Sequence, residues 1–149
     1  MFLLHAIRLY DWHTPSIWRK PLLWSLYLGY ASLVLGFCLR ALSIWGPVSP
    51  FVVLHAFMYG GVGLMTLGMM ARVTLGHTGR NVFAPPGAMG GIFALLGIGT
   101  VLPVLFPMAD PAHYTLWILL SPLGILAFSW FSALFIPFLT RPRVDGWPG

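Results

Sequence analysis

Two histidines and two arginines in the middle of the chain carry the chemistry that this sequence offers. His55 lies five residues after Pro50 in an apolar stretch, and His77 lies between two glycines in a polar segment bounded by Arg72 and Arg80. A neutral imidazole is a common ligand for haem iron, copper and zinc. A guanidinium can hold an anionic or polar group such as a haem propionate, a quinone carbonyl or a lipid phosphate. The candidate metal ligands are therefore His55 and His77, and the candidate cofactor-binding residues are Arg72 and Arg80.

Each of these residues also has a purely structural interpretation. His55 can hydrogen-bond to a carbonyl of a neighbouring helix, and Arg72 and Arg80 can simply set the orientation of a polar turn. One geometric limit holds for both interpretations. His55 and His77 are 22 residues apart, which is about 33 Å along a continuous helix. We therefore expect the two histidines at opposite faces of a membrane and not on one metal ion.

Three methionines accompany His55 in the same apolar stretch. Met58, Met65 and Met69 recur at intervals that place them on one side of a helix. Their thioethers are soft ligands that suit Cu(I), but a methionine stripe is also common in adaptable core packing. Copper binding and packing are both left open for these residues.

The elements that position these side chains must lie in lipid, because the chain has too few charges for a soluble surface. Of its 149 residues, 58% are hydrophobic and 7% are charged, against about 25% charged in an average soluble domain. Uncharged stretches long enough to cross about 30 Å of hydrocarbon cover residues 22–39, 51–71, 88–109 and 111–140. The composition predicts an all-α fold, a polytopic membrane helical bundle with four transmembrane helices and no evident soluble substrate.

The basic residues indicate the orientation of this bundle. Seven of the eight precede the first stretch, separate the second from the third or follow the fourth: Arg8, Arg19 and Lys20, then Arg72 and Arg80, then Arg141 and Arg143. The eighth, Arg40, closes the first stretch at its other end. By the positive-inside rule both termini and the middle loop are cytoplasmic. We therefore divide the chain into a cytoplasmic or interfacial segment 1–20, a transmembrane domain 21–140 and a cytoplasmic tail 141–149. Topology accounts for the positive charge, so nucleic acid is not expected as a partner.

Small residues repeat on one face of each of the first three stretches. Such faces let helix backbones approach closely in a membrane. They consist of Ser25, Gly29, Ser32 and Gly36, then Ala56, Gly60 and Gly63, then Gly90, Ala94 and Gly97. We expect a tight bundle with more close-packing surface than four helices need, and therefore a helical partner in addition to the lipid bilayer.

Two segments resemble a known family. The run 55–80, HAFMYGGVGLMTLGMMARVTLGHTGR, looks like the central signature of the NnrS family of bacterial inner-membrane proteins, and 21–36, PLLWSLYLGYASLVLG, resembles the preceding helix. The resemblance implies a multi-pass inner-membrane protein that contains haem and copper and belongs to the nitric oxide response and denitrification. It implies roles for His55 and His77 as metal ligands and for Arg72 and Arg80 as propionate partners. It assigns no reaction and no catalytic residue.

The predicted number of spans departs from the family pattern. NnrS proteins have the size of a chain with about a dozen spans, so this sequence resembles the C-terminal part of one. Its expected partner is the missing N-terminal half or a second copy. Residues 1–13 are interpreted either as an interfacial helix or as the last turns of a longer helix. The alternative functions are a cofactor-free membrane bundle, structural or transporter-like, and a non-functional fragment of a longer NnrS protein.

The predicted orientation can be tested with reporter fusions in a bacterial host. A reporter placed after Gly149 should be active in the cytoplasm, and a label directed to Asp110 should reach it only from the periplasm, because the loops near 46–50 and 109–113 carry no basic residue. Periplasmic activity of the Gly149 fusion, or cytoplasmic labelling at Asp110, would contradict the orientation.

Overall fold

The chain folds almost entirely into helices. A computed structural model describes residues 1–46, 48–109, 112, 119 and 122–146, with the side chains of all of these except 108 and 109. Its helices are α1 (Phe2–Asp11), a 3-10 helix (Pro15–Arg19), α2 (Pro21–Leu42), α3 (Pro50–Leu54), a π-helix (His55–Gly63), α4 (Leu64–His77), α5 (Ala88–Ala109) and α6 (Pro122–Leu139). The described residues contain no strand, and the predicted all-α fold is confirmed.

Four helical segments are long and apolar enough to cross a membrane, as predicted. We call them the first to fourth spans: Pro21–Leu42, Pro50–His77, Ala88–Pro107 and Pro122–Leu139. Three of them begin with proline, which fits the first helical position because no hydrogen bond requires its missing N–H there. The predicted fourth stretch began at 111. The part of it before Pro122, apart from 112 and 119, lies outside the described residues.

The second span changes helix type without a break in the helix. It starts as α3, widens into nine π-helical residues from His55 to Gly63 and continues as α4. At the end of the wide segment, the N–H of Leu64 lies within hydrogen-bonding reach of the Gly60 and Gly61 carbonyls. Most π segments are single turns, and they are frequent at functional sites. The composition of this stretch did not predict a π-helix.

The first and second spans pack with their backbones close together, because glycines alternate across their interface. A Cβ added at Gly29 would meet Met65 at 2.7 Å, and one at Gly36 would meet Phe57 at 2.9 Å. On the opposite side, a Cβ at Gly60 would meet the Ser32 hydroxyl at 2.6 Å. At these distances only the hydrogen atom of a glycine fits in place of a side chain. The small-residue faces predicted on these two spans therefore meet each other within the chain.

The third and fourth spans complete the bundle around a core shared with α4. Its fully buried members are large apolar side chains, including Leu64, Leu67, Phe93, Leu96 and Phe135. The small-residue face predicted on the third span behaves differently from the other two. A Cβ at Gly90 or Gly97 would meet nothing within 4 Å among the described residues. This face is therefore not closed by the part of the chain that the structure describes.

Helix α1 packs along α2. His5 contacts Tyr30 and Phe37, and Trp12 contacts Tyr27 nearer the start of α2, so the two helices run antiparallel. α1 has no buried residue and exposes apolar side chains on its outer side. An exposed apolar face of this kind is stable beside lipid and not in water. The assignment of 1–20 to a cytoplasmic or interfacial segment stays a prediction.

The middle loop and the tail lie at the same end of the bundle. Gly79 adopts a positive φ of 73° in the turn after α4. The Val144 N–H donates to the Thr78 carbonyl at 3.3 Å, and the Arg80 guanidinium lies 4.0 Å from the centroid of the Phe138 ring. Lys20, at the start of α2, lies 5.9 Å from the Phe83 ring centroid. The basic segments are therefore grouped as the positive-inside rule requires, while their cytoplasmic location stays a prediction.

The closeness of the first two spans makes Gly60 sensitive to a single methyl group. Gly60→Ala should destabilise the folded protein by about 1–3 kcal/mol, because the new Cβ overpacks a contact with Ser32 and Thr100. Gly97→Ala is the matched control, since its Cβ meets nothing and alanine favours a helix over glycine by up to about 1 kcal/mol. Thermal unfolding in detergent should give a lower Tm for Gly60→Ala than for Gly97→Ala. Equal Tm values would contradict the close contact.

Candidate functional site

His55 is the first residue of the π-helical segment and is half-buried. Its ring lies 5.5 Å from the Tyr59 ring, tilted by 30°. Within the described residues neither ring nitrogen has a hydrogen-bond partner. Tyr59 in turn is hydrogen-bonded to the backbone of Gly124 at the start of α6. The imidazole is thus held by a ring contact, with both nitrogens available to an outside partner.

His77 is the last residue of α4 and is exposed. The turn that follows it is held by the carboxyl-terminal part of the chain, through Thr78 and Val144 and through the Asp145 carboxylate packed against Gly79. His55 and His77 stand at the two ends of one long helix, as the spacing predicts. Among the described residues, no group of three or more histidine, cysteine, aspartate or glutamate side chains lies close enough to hold a metal ion. His113 lies outside the described residues.

Arg72 faces the amino end of α2. It lines a cavity of about 280 Å³ together with Arg19 and Lys20. Its Nε atom is buried and has no hydrogen-bond partner in the described part of the chain. A buried N–H without an acceptor is costly, so this guanidinium is suited to an anion that enters the cavity.

Arg80 faces a different neighbour, the end of α6. Its guanidinium stacks over the Phe138 ring, a favourable cation–π contact. One terminal nitrogen is buried and has no partner among the described residues. Arg72 and Arg80 are close in sequence, but Arg72 on α4 faces α2, whereas Arg80, in the turn after α4, faces α6. Their roles as cofactor-binding residues stay a prediction.

The three methionines do not converge. Met58 and Met69 are 61% and 48% exposed, whereas Met65 packs against Gly29 of α2. Two outward thioethers and one inward thioether cannot bind the same ion without moving. Packing against α2 accounts for Met65, and the side chains of Met58 and Met69 face outward.

His5 was not among the residues predicted to have a function, but the structure gives it specific contacts. Its Nδ1 atom lies 2.7 Å from the Tyr30 hydroxyl, and its ring stacks on Phe37 with the planes 3° apart. It borders a cavity of about 590 Å³ that Arg8 also lines. The spacing of His5 and Arg8 puts both on one side of a helix, but only the packing of α1 on α2 shows which side is occupied.

An apolar groove of about 640 Å³ runs between α2 and α5. Its lining includes no histidine, cysteine, methionine or charged side chain. The two hydroxyls in it, from Ser32 and Thr100, donate to carbonyls of their own helices, at 2.9 and 3.0 Å. The groove can accept an apolar chain, but its lining offers no metal ligand.

Comparison with known proteins gives one match. A family model described as NnrS protein matches residues 1–143, which include both candidate histidines and both candidate arginines. No curated protein and no solved structure matches the chain.

Proposed function

The chain belongs to the NnrS family, whose model covers nearly all of it, and from this premise we propose that it is a haem- and copper-associated protein of the bacterial inner membrane. The proposed role is in the response to nitric oxide and in denitrification. The observation that carries the proposal is the family match over residues 1–143. Within that range lie the histidines and arginines that have the chemistry for such cofactors.

The residues present are compatible with haem. Haem iron needs one or two protein ligands, and a single histidine is a common one. His55 and His77 each present an imidazole without a hydrogen-bonded partner in the described residues. Arg72 and Arg80 each present a buried nitrogen without an acceptor, which suits the carboxylates of a haem. The absence of a three-ligand cluster among the described residues favours haem over a closed copper site formed by this chain alone.

Each residue has a proposed role in binding. His55 would supply a ligand at one end of the second span, where its contact with Tyr59 orients the ring. His77 would supply one at the other end, where the turn before Gly79 presents it to solvent. Arg72 and Arg80 would hold carboxylates through N–H groups that are already desolvated. A bound haem supplies one-electron chemistry and an open iron position for a diatomic gas.

The proposal is tested by a visible absorption spectrum of the detergent-purified protein, with iron and copper measured per chain. We expect a Soret band, and we expect His55→Ala or His77→Ala to lower haem affinity by about tenfold or more, because an axial ligand is lost. His13→Ala is the control, since His13 is exposed and its Nε2 atom accepts a hydrogen bond from the Trp18 indole. A folded, colourless protein without iron or copper would refute the proposal and support a cofactor-free bundle.

The proposed partner is a helix from another chain, such as a second copy, packed on the third span. Its support is the small-residue face of Gly90, Ala94 and Gly97, on which the two glycine positions meet no described neighbour. Lipid fills such a face poorly, whereas a second helix can pack closely against it. The free energy of such contacts is small for each residue, so the association would be reversible.

Cysteine cross-linking in native membranes tests this interface. In a Cys38→Ser background, Ala94→Cys should form disulfide-linked dimers on oxidation. Ala56→Cys should not, because Ala56 is fully buried inside the chain. Absence of dimers from both variants, or equal dimer yields, would contradict a partner on this face.

A further inference from the structure

We propose that the cavity at the amino end of α2 binds a phosphate group, and that this group is the headgroup of an anionic phospholipid or a free phosphate anion. We call it the cationic cavity. It is lined by Arg19, Lys20 and Arg72, together with Pro21, Phe83 and neighbouring apolar residues, and encloses about 280 Å³. The inference gives Arg72 a different ligand from the haem carboxylate of the proposed function, and the experiment below distinguishes the two.

Three positive side chains from two parts of the chain border this cavity. Arg19 and Lys20 precede the first span, and Arg72 comes from α4, more than fifty residues later. No acidic side chain is among the residues that line the cavity. Arg19 and Lys20 are exposed and Arg72 is half-buried, so water and salt screen part of their mutual repulsion. An anion between the three cations lowers the repulsion that remains.

The chain itself has few acids that can provide this anion. It contains only three, Asp11, Asp110 and Asp145. Asp145 forms an ion pair with Arg143, with 2.6 Å between nitrogen and oxygen, and Asp11 lines a different cavity beside α1. Asp110 lies outside the described residues. No described acid lines the cavity, and a bound anion is the counter-charge that we propose.

The amino end of α2 adds partial positive charge beside the cavity. α2 begins at Pro21, which has no N–H, and no side chain caps this end. The N–H groups of Leu23 and Trp24 donate to the Lys20 carbonyl, so the contribution of α2 is the positive end of its dipole. This partial charge strengthens the attraction of the three cations for a phosphate.

The position of the cavity favours a lipid as the source. It lies at the end of the bundle that carries the basic loops. Trp18 directly precedes Arg19 in the chain, and Trp24 follows Lys20 by four residues. Tryptophans near the ends of membrane spans lie at the depth of lipid headgroups. Apolar walls formed by Leu22, Leu23 and Val82 can contact the glycerol and upper acyl region of the same lipid.

The test measures binding of two probes to purified full-length protein in phosphatidylcholine nanodiscs. The probes are fluorescent phosphatidylglycerol and inorganic phosphate, the latter as a competitor. We expect saturable phosphatidylglycerol binding that falls about tenfold in Arg72→Gln, as expected when a charge-assisted contact is removed. Arg141→Gln removes the same charge from an exposed position in the tail and should change binding by less than about twofold.

The competition experiment distinguishes the two sources of phosphate. Binding of phosphatidylglycerol that resists excess inorganic phosphate supports a lipid site, and displacement by it supports a site for the free anion. Absence of saturable binding, or equal losses in Arg72→Gln and Arg141→Gln, would overturn the inference. Haem content is measured in the same samples. Loss of haem in Arg72→Gln with lipid binding unchanged would assign Arg72 to the cofactor and also overturn it.

Discussion

The close backbone contact between the first and second spans is the interaction on which the other features of this structure depend. In lipid, helices gain little by hiding apolar side chains from the solvent, so association relies on van der Waals contact and requires small residues. Gly29 and Gly36 on one helix and Gly60 on the other provide that contact. The π segment lies within this interface and fixes the positions of His55 and Tyr59. The hydrogen bond between the Tyr59 side chain and the backbone of Gly124 then connects the pair to the fourth span.

The second organising feature is the distribution of charge. Eight basic and three acidic residues leave most cations without an internal partner, and the fold gathers several of them at one end of the bundle. The positive charge of Arg80 is partly stabilised by the Phe138 ring, whereas Arg72 shares a cavity with two other cations. Buried N–H groups on both side chains lack acceptors in the described residues. Both proposals, cofactor carboxylates and phosphates as ligands, depend on the positive charge at this end of the molecule.

Several features of the site could not be read from the residue order because they depend on rotation and packing. The interval between Arg72 and Arg80 gave no indication that Arg72 on α4 would face α2 and that Arg80, in the turn after α4, would face α6. His5 received no role because the side of α1 that contacts α2 is set by fit against Tyr30 and Phe37. The π-helix was also unforeseen. Hydrogen bonds in a π-helix reach one residue further along the chain than in an α-helix, which changes the side chains that share a face. Composition does not indicate where this change occurs.

Residue order alone indicates that the helices lie in lipid, how many spans there are, which family the chain belongs to and how far His55 lies from His77. These follow from hydropathy summed over long stretches, from a long matching segment and from the fixed rise of a helix, all of which are insensitive to packing detail. Only the tertiary structure decided which small-residue faces close within the chain and which cations share a cavity. Such pairings depend on the rotation of each helix about its axis. That rotation is set by how side chains that are far apart in the chain fit against one another.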